Sequence, residues 1–449
     1  MKNTSLALIA HCIEQAKKQG ADAADAVLFV SENTSCRSRM GKPETIERAE
    51  NKDLGLRVLV KGKKGMKSAI VSSNDFSPET LNELVSRAVA MAKIAPEDAH
   101  TALADESLLA KKIPALELAD DTLPDEKTLR RAAGEAEEAA LKVKGVTNSE
   151  GADATASASE VFLATSHGFQ GHYRTTSYSV SASIIAGNDT EMETDFDYSV
   201  ARRHADLKSA AMVGKSAAER AVAKLNPRKA KTCQVPVVFE PRVARGLLGS
   251  FAGAINGAQV ARGTSFLKDK LNTQVFAKGV QVLDDPLIKR GVSSHPFDAE
   301  GVSCRKLAVV EDGVLTTWIL DTRSARQLKM HTTGHATRGT SSPPRPSTTN
   351  FYMAAGKISP EALMADIKDG FYVTEAFGMG VNDVTGDYSQ GAAGFWIENG
   401  KLTYAVSGIT IAGNMKDMFL NVTPASDLEM QYGTNAPTLR IEGMTIAGA

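Results

Sequence analysis

The sequence predicts an α+β fold in two parts: an N-terminal α/β domain with helices on a mainly antiparallel sheet, then a strand-rich C-terminal domain with a buried helix. Three observations carry this expectation. The first ninety or so residues alternate between helical and strand periods in the order α-β-β-β-α. Residues 146–203 alternate small or polar residues with Tyr, Val and Phe, a pattern of antiparallel strands. The second half places Asp312-Gly313 and Asn399-Gly400 between β-rich runs. Both central residues of such a two-residue turn need φ > 0, which Asn, Asp and Gly tolerate.

The elements follow in order. The opening MKNTSLALIAHCIEQAKKQG reads as an amphipathic helix, because its apolar run is short and Glu14, Gln15, Lys17 and Lys18 stand where a signal peptide would be cleaved. Ala26 to Val30 reads as a strand. LGLRVLVKGKKGMKSAIVSSN reads as a hairpin around Gly62 to Gly65. Ser77-Pro78 opens a helix with Leu81, Leu84, Val85, Ala88 and Val89 on one face. Residues 95–123, rich in Pro, Asp and Ala, read as a surface connection. Pro124 starts a helix through Leu141, and an Ala-rich helix covers 207–225. Asn226-Pro227 ends that helix, since a residue before proline avoids the helical region. The expected domains are therefore 1–226 and 227–449.

The second half opens with the strand CQVPVVFE, and Pro241 starts a helix containing VARGLLGSFAGAI. Val243, Ala244, Leu247, Leu248, Phe251, Ala252, Ala254 and Ile255 make it apolar almost all round, so it is expected to be buried, with Gly249, Gly253 and Ala254 allowing close neighbours. VVEDGVLTTW and FWIENGKLTY share Glu, Asp or Asn, Gly, Leu and Thr, which internal duplication or turn chemistry alone would produce. In the second hairpin the turn pairs Ile397 with Leu402, Trp396 with Thr403 and Phe395 with Tyr404. Period two then sends Phe395, Ile397, Leu402 and Tyr404 to the core and Trp396 to the opposite face.

Composition narrows the function classes. The 449 residues are 42% hydrophobic and 23% charged, ordinary for a soluble globular chain. A net charge of −1 gives little attraction to nucleic acid or acidic lipid. Cys12, Cys36, Cys233 and Cys304 are scattered without a CxxC pair, which fits a reducing compartment. With no apolar run long enough to span a membrane, the expected location is the cytoplasm.

Common catalytic motifs are missing. No histidine is followed by glutamate, and GxSxG, GxxxxGK[ST] and GxGxxG are absent. His331 and His335 have helical spacing but are interrupted by Gly334 and followed by the loop TRGTSSPPRPSTTN, so they read as loop residues rather than metal ligands. His167 and His172 flank GFQG in an expected surface hairpin, and His204 is expected on a solvated face. In EMETDFDYSV, alternation puts Glu191, Glu193, Asp195 and Asp197 on one face of a half-exposed strand, with an acidic rim for basic peptides as the functional alternative. GDYSQGAAG, residues 386–394, is read either as a Gly-rich loop or as backbone lining a groove to which an extended peptide adds as a strand, with Asp387, Tyr388, Ser389 and Gly391 at the peptide.

Several long stretches resemble the TldD/PmbA family of gyrase modulators and peptidases. They are PVVFEPRVARGLLGSFAGAINGAQV, SSHPFDAEGV, TTGHATRGTSSPPRPSTTNFYM, VTGDYSQGAAGFWIENGKLTYAVSGITIAGNMKDMFLNV and IEGMTIAGA. The N-terminal half fits more loosely through LGLRVLVKGKKG. The resemblance implies two kinds of subunit. TldD-like subunits carry HExxxH on a helix and a cysteine near the C-terminus, a zinc site with an open position for water. Matching the Leu-Leu pair puts Gly249 and Ala254 in the places of the histidines, Ser250 in that of the glutamate and Tyr432 in that of the cysteine. The resemblance is therefore to the PmbA-like (TldE-like) subunit. It implies no cofactor in this chain, zinc in a TldD-like partner, flexible peptides as substrates and a homodimer as an alternative assembly, while charge and hydropathy argue against nucleic acid and membrane as partners. Two alternatives stay open: a self-sufficient metallopeptidase with an unusual ligand set, such as His331, His335 and a carboxylate, and a homodimeric peptide-binding or regulatory protein. Whether the chain is an enzyme by itself is left open.

Overall fold

The computed structural model describes residues 2–188, 191–378 and 380–448. In the first half, β1 (Ala23–Arg39), β2 (Lys42–Lys61), β3 (Met66–Ser73), β4 (Glu97–Asp98), β5 (Val146–Thr165), β6 (Gln170–Ala186) and β7 (Glu193–Ala201) form one antiparallel sheet in the order β4-β3-β2-β1-β5-β6-β7. Four helices cover one face of it: α1 (Lys2–Lys18), α2 (Pro78–Ile94), α3 (Glu126–Leu141) and α4 (Ala210–Ala223). The covered face is set by alternation. Ala24, Ala26 and Leu28 of β1 and Ala152, Ala154, Ala156 and Phe162 of β5 point to the helices. Small alanines let α3 and α4 lie close on the strands. The opposite face carries Val27 and Leu163, which pack with Phe169 on Phe297 of the second half.

Helix starts are locally encoded. Ser77, Asp125 and Ser209 each cap the following helix by accepting from a backbone N–H in its first turn. The segment 95–123 departs from a simple surface connection. Leu103, Ala104, Leu116 and Leu118 are buried, and Ala110 N donates to Gly301 O (2.9 Å) while Arg290 N donates to Leu116 O (2.8 Å). It is a strap tying the halves together, held by backbone hydrogen bonds that composition does not reveal.

The second half contributes β8 (Cys233–Phe239), β9 (Val282–Asp284), β10 (Leu307–Glu311), β11 (Val314–Leu315), β12 (Ala336–Thr337), β13 (Arg345–Pro346), β14 (Phe351–Met353), β15 (Asp369–Phe377), β16 (Asp387–Glu398), β17 (Lys401–Asn414), β18 (Val422–Pro424), β19 (Thr434–Asn435) and β20 (Leu439–Ala447). Strands β17-β16-β15-β8-β20 close into a barrel through pairing of β17 with β20. A second sheet runs β11-β10-β9-β14-β19. Helix α5 (Pro241–Ala254) packs between them. Phe251 meets Phe276, Phe351 and Phe419 at centroid distances of 4.8, 6.2 and 5.6 Å. The α+β expectation, with helices on an antiparallel sheet and a strand-rich second half, holds.

Two local expectations are corrected. Asp312, Gly313, Asn399 and Gly400 all have positive φ, as their turns require. Beyond Asn399-Gly400, however, Ile397 pairs with Leu402 while Phe395 pairs with Ala405, because a bulge interrupts the ladder. Ile397 is buried on one face as expected, but Trp396 is also buried, at 9% exposure, because the opposite face of β16 is covered by the main core, and Leu402 beside the turn is 43% exposed. In β7 the acidic face turns inward at Asp195, 4% exposed, while Phe196 is 45% exposed. Two cations from other elements, described next, make burial of that carboxylate tolerable.

Candidate functional site: a cleft along helix α5

Helix α5 is two-faced rather than apolar all round. Ala244, Leu247, Leu248, Phe251 and Ala254 are buried. Gly246, Gly249 and Gly253 lie on the other side, where a Cβ would meet no atom within 4 Å. The glycines do not serve close packing, as the sequence suggested; they keep a helix face bare. Over its N-terminal part, along Gly246 and Ser250, lies a cleft of about 640 Å³, walled by β7 on one side and by β15, β16 and the 380–383 loop on the other.

Fixed ions build the cleft's entrance. Arg242 forks onto Asp195, with Nη1 to Oδ1 at 2.7 Å and Nη2 to Oδ2 at 3.2 Å, and its Nε donates to Glu240 at 2.9 Å. Glu240 also accepts from Arg220 at 3.0 Å. Lys224 lies 3.5 Å from Asp195 and donates to Glu375 at 2.6 Å. Burial by itself would raise the Asp195 carboxyl; the hydrogen bonds and charges of Arg242 and Lys224 outweigh it and hold the group below its ordinary value. These ions join the N-terminal sheet to α5 and the barrel.

Arg245, one turn on, differs. Its guanidinium stacks on Tyr432 at 4.2 Å, Nη1 donates to Tyr198 Oη at 2.6 Å, and Nε donates to Arg242 O at 3.2 Å. Tyr198 and Tyr432 are themselves 4.8 Å apart between centroids. The trio stands between the large cleft and a neighbouring hollow of about 290 Å³ lined by Arg220, Arg242, Arg245 and Tyr432.

The residues singled out in the sequence are dispersed. Gly249 is exposed, Ala254 is buried at 4%, and Ser250 lines the cleft with its hydroxyl donating to Gly246 O at 3.2 Å. Tyr432 is half-buried beneath Arg245, and burial pushes its phenol well above the usual range. Gly249 and Ala254 bring no donor, Ser250 has spent its proton on the helix, and Tyr432 is held neutral, so these four do not fit a zinc ion. Among the described residues no group of three or more His, Cys, Asp or Glu is placed to hold a metal.

In β16, Tyr388 lines the cleft, its hydroxyl donating to Gln390 Oε1 at 2.8 Å. Asp387 and Ser389 are exposed, and Gly391 is half-buried against Phe377. Strand β16 lies between β15 and β17, and Ser389 N donates to Gly380 O at 2.9 Å. The backbone at 387–391 therefore has no free edge for an added strand, which corrects that reading of GDYSQGAAG. Arg242, Arg245 and Tyr198 were missed. The signal was present: both arginines extend the glycine stripe at helical spacing, and the apolar residues on the other side masked it.

A second charged region is sealed in the junction between the halves. Asp25 of β1 faces Arg57 across the ladder (Nε to Oδ2, 2.9 Å) and also pairs with Arg338 of the second half. Burial opposes ionisation of Asp25, yet Arg338 and Arg57 hold its carboxyl below the usual range. Nearby, burial pushes Asp298 upward, and burial with Asp298 and Asp321 beside it pushes Glu300 up further. His335 is buried here rather than in an open loop. Its Nδ1 meets Thr333 O at 2.9 Å and its Nε2 meets Asp284 Oδ1 at 3.0 Å, so neither nitrogen is free for a metal. His331 is exposed, apart from that network, and His204 is exposed as expected. His172 is half-buried, stacked on Phe162 at 4.4 Å and 2.8 Å from Glu160, while His167 meets Ala104 O at 2.9 Å.

A helix-covered antiparallel sheet, joined to a closed barrel beside a bare-faced helix and a cleft, defines a two-part α+β protein. The chain belongs to the PmbA/TldD family: the PmbA/TldA metallopeptidase C-terminal domain matches residues 232–448, the central domain 118–225 and domain 1 residues 24–92. It is 36% identical over 431 residues to Metalloprotease PmbA of Escherichia coli O157:H7, covering 95% of this chain and 92% of that one. It is 36% identical over 442 residues to a Metalloprotease PmbA homolog of Haemophilus influenzae, covering 98% and 95%. A Bacteroides thetaiotaomicron structure named for modulation of DNA gyrase superposes with a TM-score of 0.89 at 26% identity, covering 98% of each chain. TldE from Thermococcus kodakarensis shares the fold with a TM-score of 0.82 at 22% identity, covering 98% of this chain and 100% of that one. No described helix is long and apolar enough to cross a membrane.

Proposed function

We propose that this chain is the PmbA-like (TldE-like) subunit of a cytoplasmic peptidase complex, in which a TldD-like partner supplies zinc and this chain helps hold flexible peptides. The observation that carries the reading is the bare face of α5. Where the resemblance places zinc ligands, the chain has Gly249, Ser250, Ala254 and Tyr432, and along Gly246 and Ser250 of that helix lies a cleft large enough for a ligand of several residues. The same geometry speaks against a self-contained metal site at His331 and His335, since both nitrogens of His335 are bonded within the junction.

The test is reconstitution. The chain is purified alone and together with an HExxxH-bearing, TldD-like chain from the same genome. The two are expected to co-purify, and chelator-sensitive cleavage of unfolded peptides is expected only from the pair. Chelator-sensitive cleavage by this chain purified from cells lacking the partner overturns the proposal.

A further inference from the structure

Three arginines cluster near the start of α5, and two are fully answered by carboxylates. Arg220 pairs with Glu240, and Arg242 with Asp195 and Glu240. Among the described residues no carboxylate pairs with Arg245. Its orientation is nevertheless fixed by stacking on Tyr432 and by donation to Tyr198 Oη and Arg242 O. Two of five guanidinium N–H groups are thereby used, which leaves three donors in a held plane. A cation pre-oriented in this way loses little entropy when it binds, and a planar fork suits a carboxylate.

The surroundings choose among anions. Glu150, Asp195, Glu375 and Asp383 also line the large cleft. Asp195 is already answered by Arg242 and Lys224, and Glu375 by Lys224. The acidic charge that remains disfavours multiply charged phosphates and nucleic acid more than a singly charged carboxylate on a largely neutral chain. Phe196, Val243 and Val381 provide apolar contact alongside. The bare Gly246 lets a chain approach the helix backbone next to the guanidinium.

We propose that Arg245, held between Tyr198 and Tyr432, is a carboxylate-binding subsite for a peptide lying in the α5 cleft, the carboxylate coming from the peptide C-terminus or from an acidic side chain. This rests on the reading of the chain as a peptide-handling subunit and names the feature of the peptide that it grips.

Binding to the full chain alone tests it, by fluorescence anisotropy with four versions of one labelled unstructured peptide: free or amidated C-terminus, each with one internal Glu or Gln. Arg245→Gln is expected to weaken at least one carboxylate-bearing version about tenfold or more, and to leave the amidated Gln version unchanged. Arg245→Lys, which keeps the charge but loses the fork, is expected to recover only part of that affinity. Gly246→Leu, whose Cβ meets no atom within 4 Å, projects a side chain into the cleft and is expected to weaken every version that binds. Loss confined to the free C-terminus assigns a terminal subsite; loss confined to Glu assigns a side-chain subsite. Equal binding of all four versions, unchanged binding by Arg245→Gln, or no binding of any version overturns the proposal, provided thermal melts show the variants folded. Failure to pair with a zinc-bearing chain would overturn the subunit reading and leave this result standing, because no partner is present in the assay.

Discussion

Where the N-terminal sheet meets the second half, charged side chains gather twice, once in the sealed junction around Asp25 and once along the open cleft of α5. In the junction, Asp25 is 1% exposed and is gripped by arginines from both halves. In the cleft, Arg242 is answered by Asp195 and Glu240, whereas Arg245 keeps donors free. The difference is one of purpose. A buried ion left unanswered is severely destabilising, so the junction's charges register the two halves against each other. A cation at the wall of a cleft can stay unanswered because water reaches it, and so it remains open to a ligand.

The sharpest way to break this contrast is to remove Asp25. Asp25→Ala strands Arg57 and Arg338 in the junction and is expected to lower stability by about 3–5 kcal/mol, read as a fall in the denaturation midpoint. Arg245→Ala, which removes a stack on Tyr432 and a hydrogen bond to Tyr198 but strands no charge, should shift it by only about 1–2 kcal/mol. Equal losses would erase the distinction between sealed and open regions.

The junction should also respond to pH in two directions. Glu300 has a raised pKa when folded, so between its ordinary value of 4.5 and the raised one the native state holds a proton that the unfolded chain has released. Its contribution therefore falls as pH rises through that window, by up to about 1.4 kcal/mol per pH unit. Asp25 has the opposite sign. Its folded pKa is depressed, so its contribution is present above the ordinary 3.8 and is lost as pH falls through the lower folded value. Glu300→Gln keeps an oxygen for Thr322 N and removes the titration, so urea unfolding from pH 5 to 8 should show a flatter slope than the parent. An unchanged slope would show that Glu300 is not protonated in the folded junction.

The smallest effect belongs to the helix. Gly249→Ala meets no atom within 4 Å, so it is expected to stabilise by about 0.5–1 kcal/mol through helix propensity alone. A loss of stability would mean that the glycine face is packed after all.

Much of the architecture was legible in the sequence. The Ser77 helix start, the Asp312-Gly313 and Asn399-Gly400 turns, and the alternation in β5 and β6 are local signals, and local structure follows them. The second hairpin was misread in part, because a bulge moves the partner of Phe395 to Ala405 and because both faces of β16 are covered, so that Trp396 is buried as well as Ile397. The bare face of α5 was misread because glycine and alanine look alike in an apolar pattern, while one side of this helix meets Phe276 and Phe419 and the other meets open space. Asp25 and Arg338, far apart in the chain, gave no sign of being partners.

The sequence by itself determined most of the elements, their turns and the family to which the chain belongs. Those properties depend on residue identity and short-range backbone preference. Only the tertiary structure decided which charges are sealed and which stay open. Desolvation and ion pairing depend on what folding brings within a few ångströms, and for Asp25, Asp195 and Arg245 those neighbours come from distant parts of the chain.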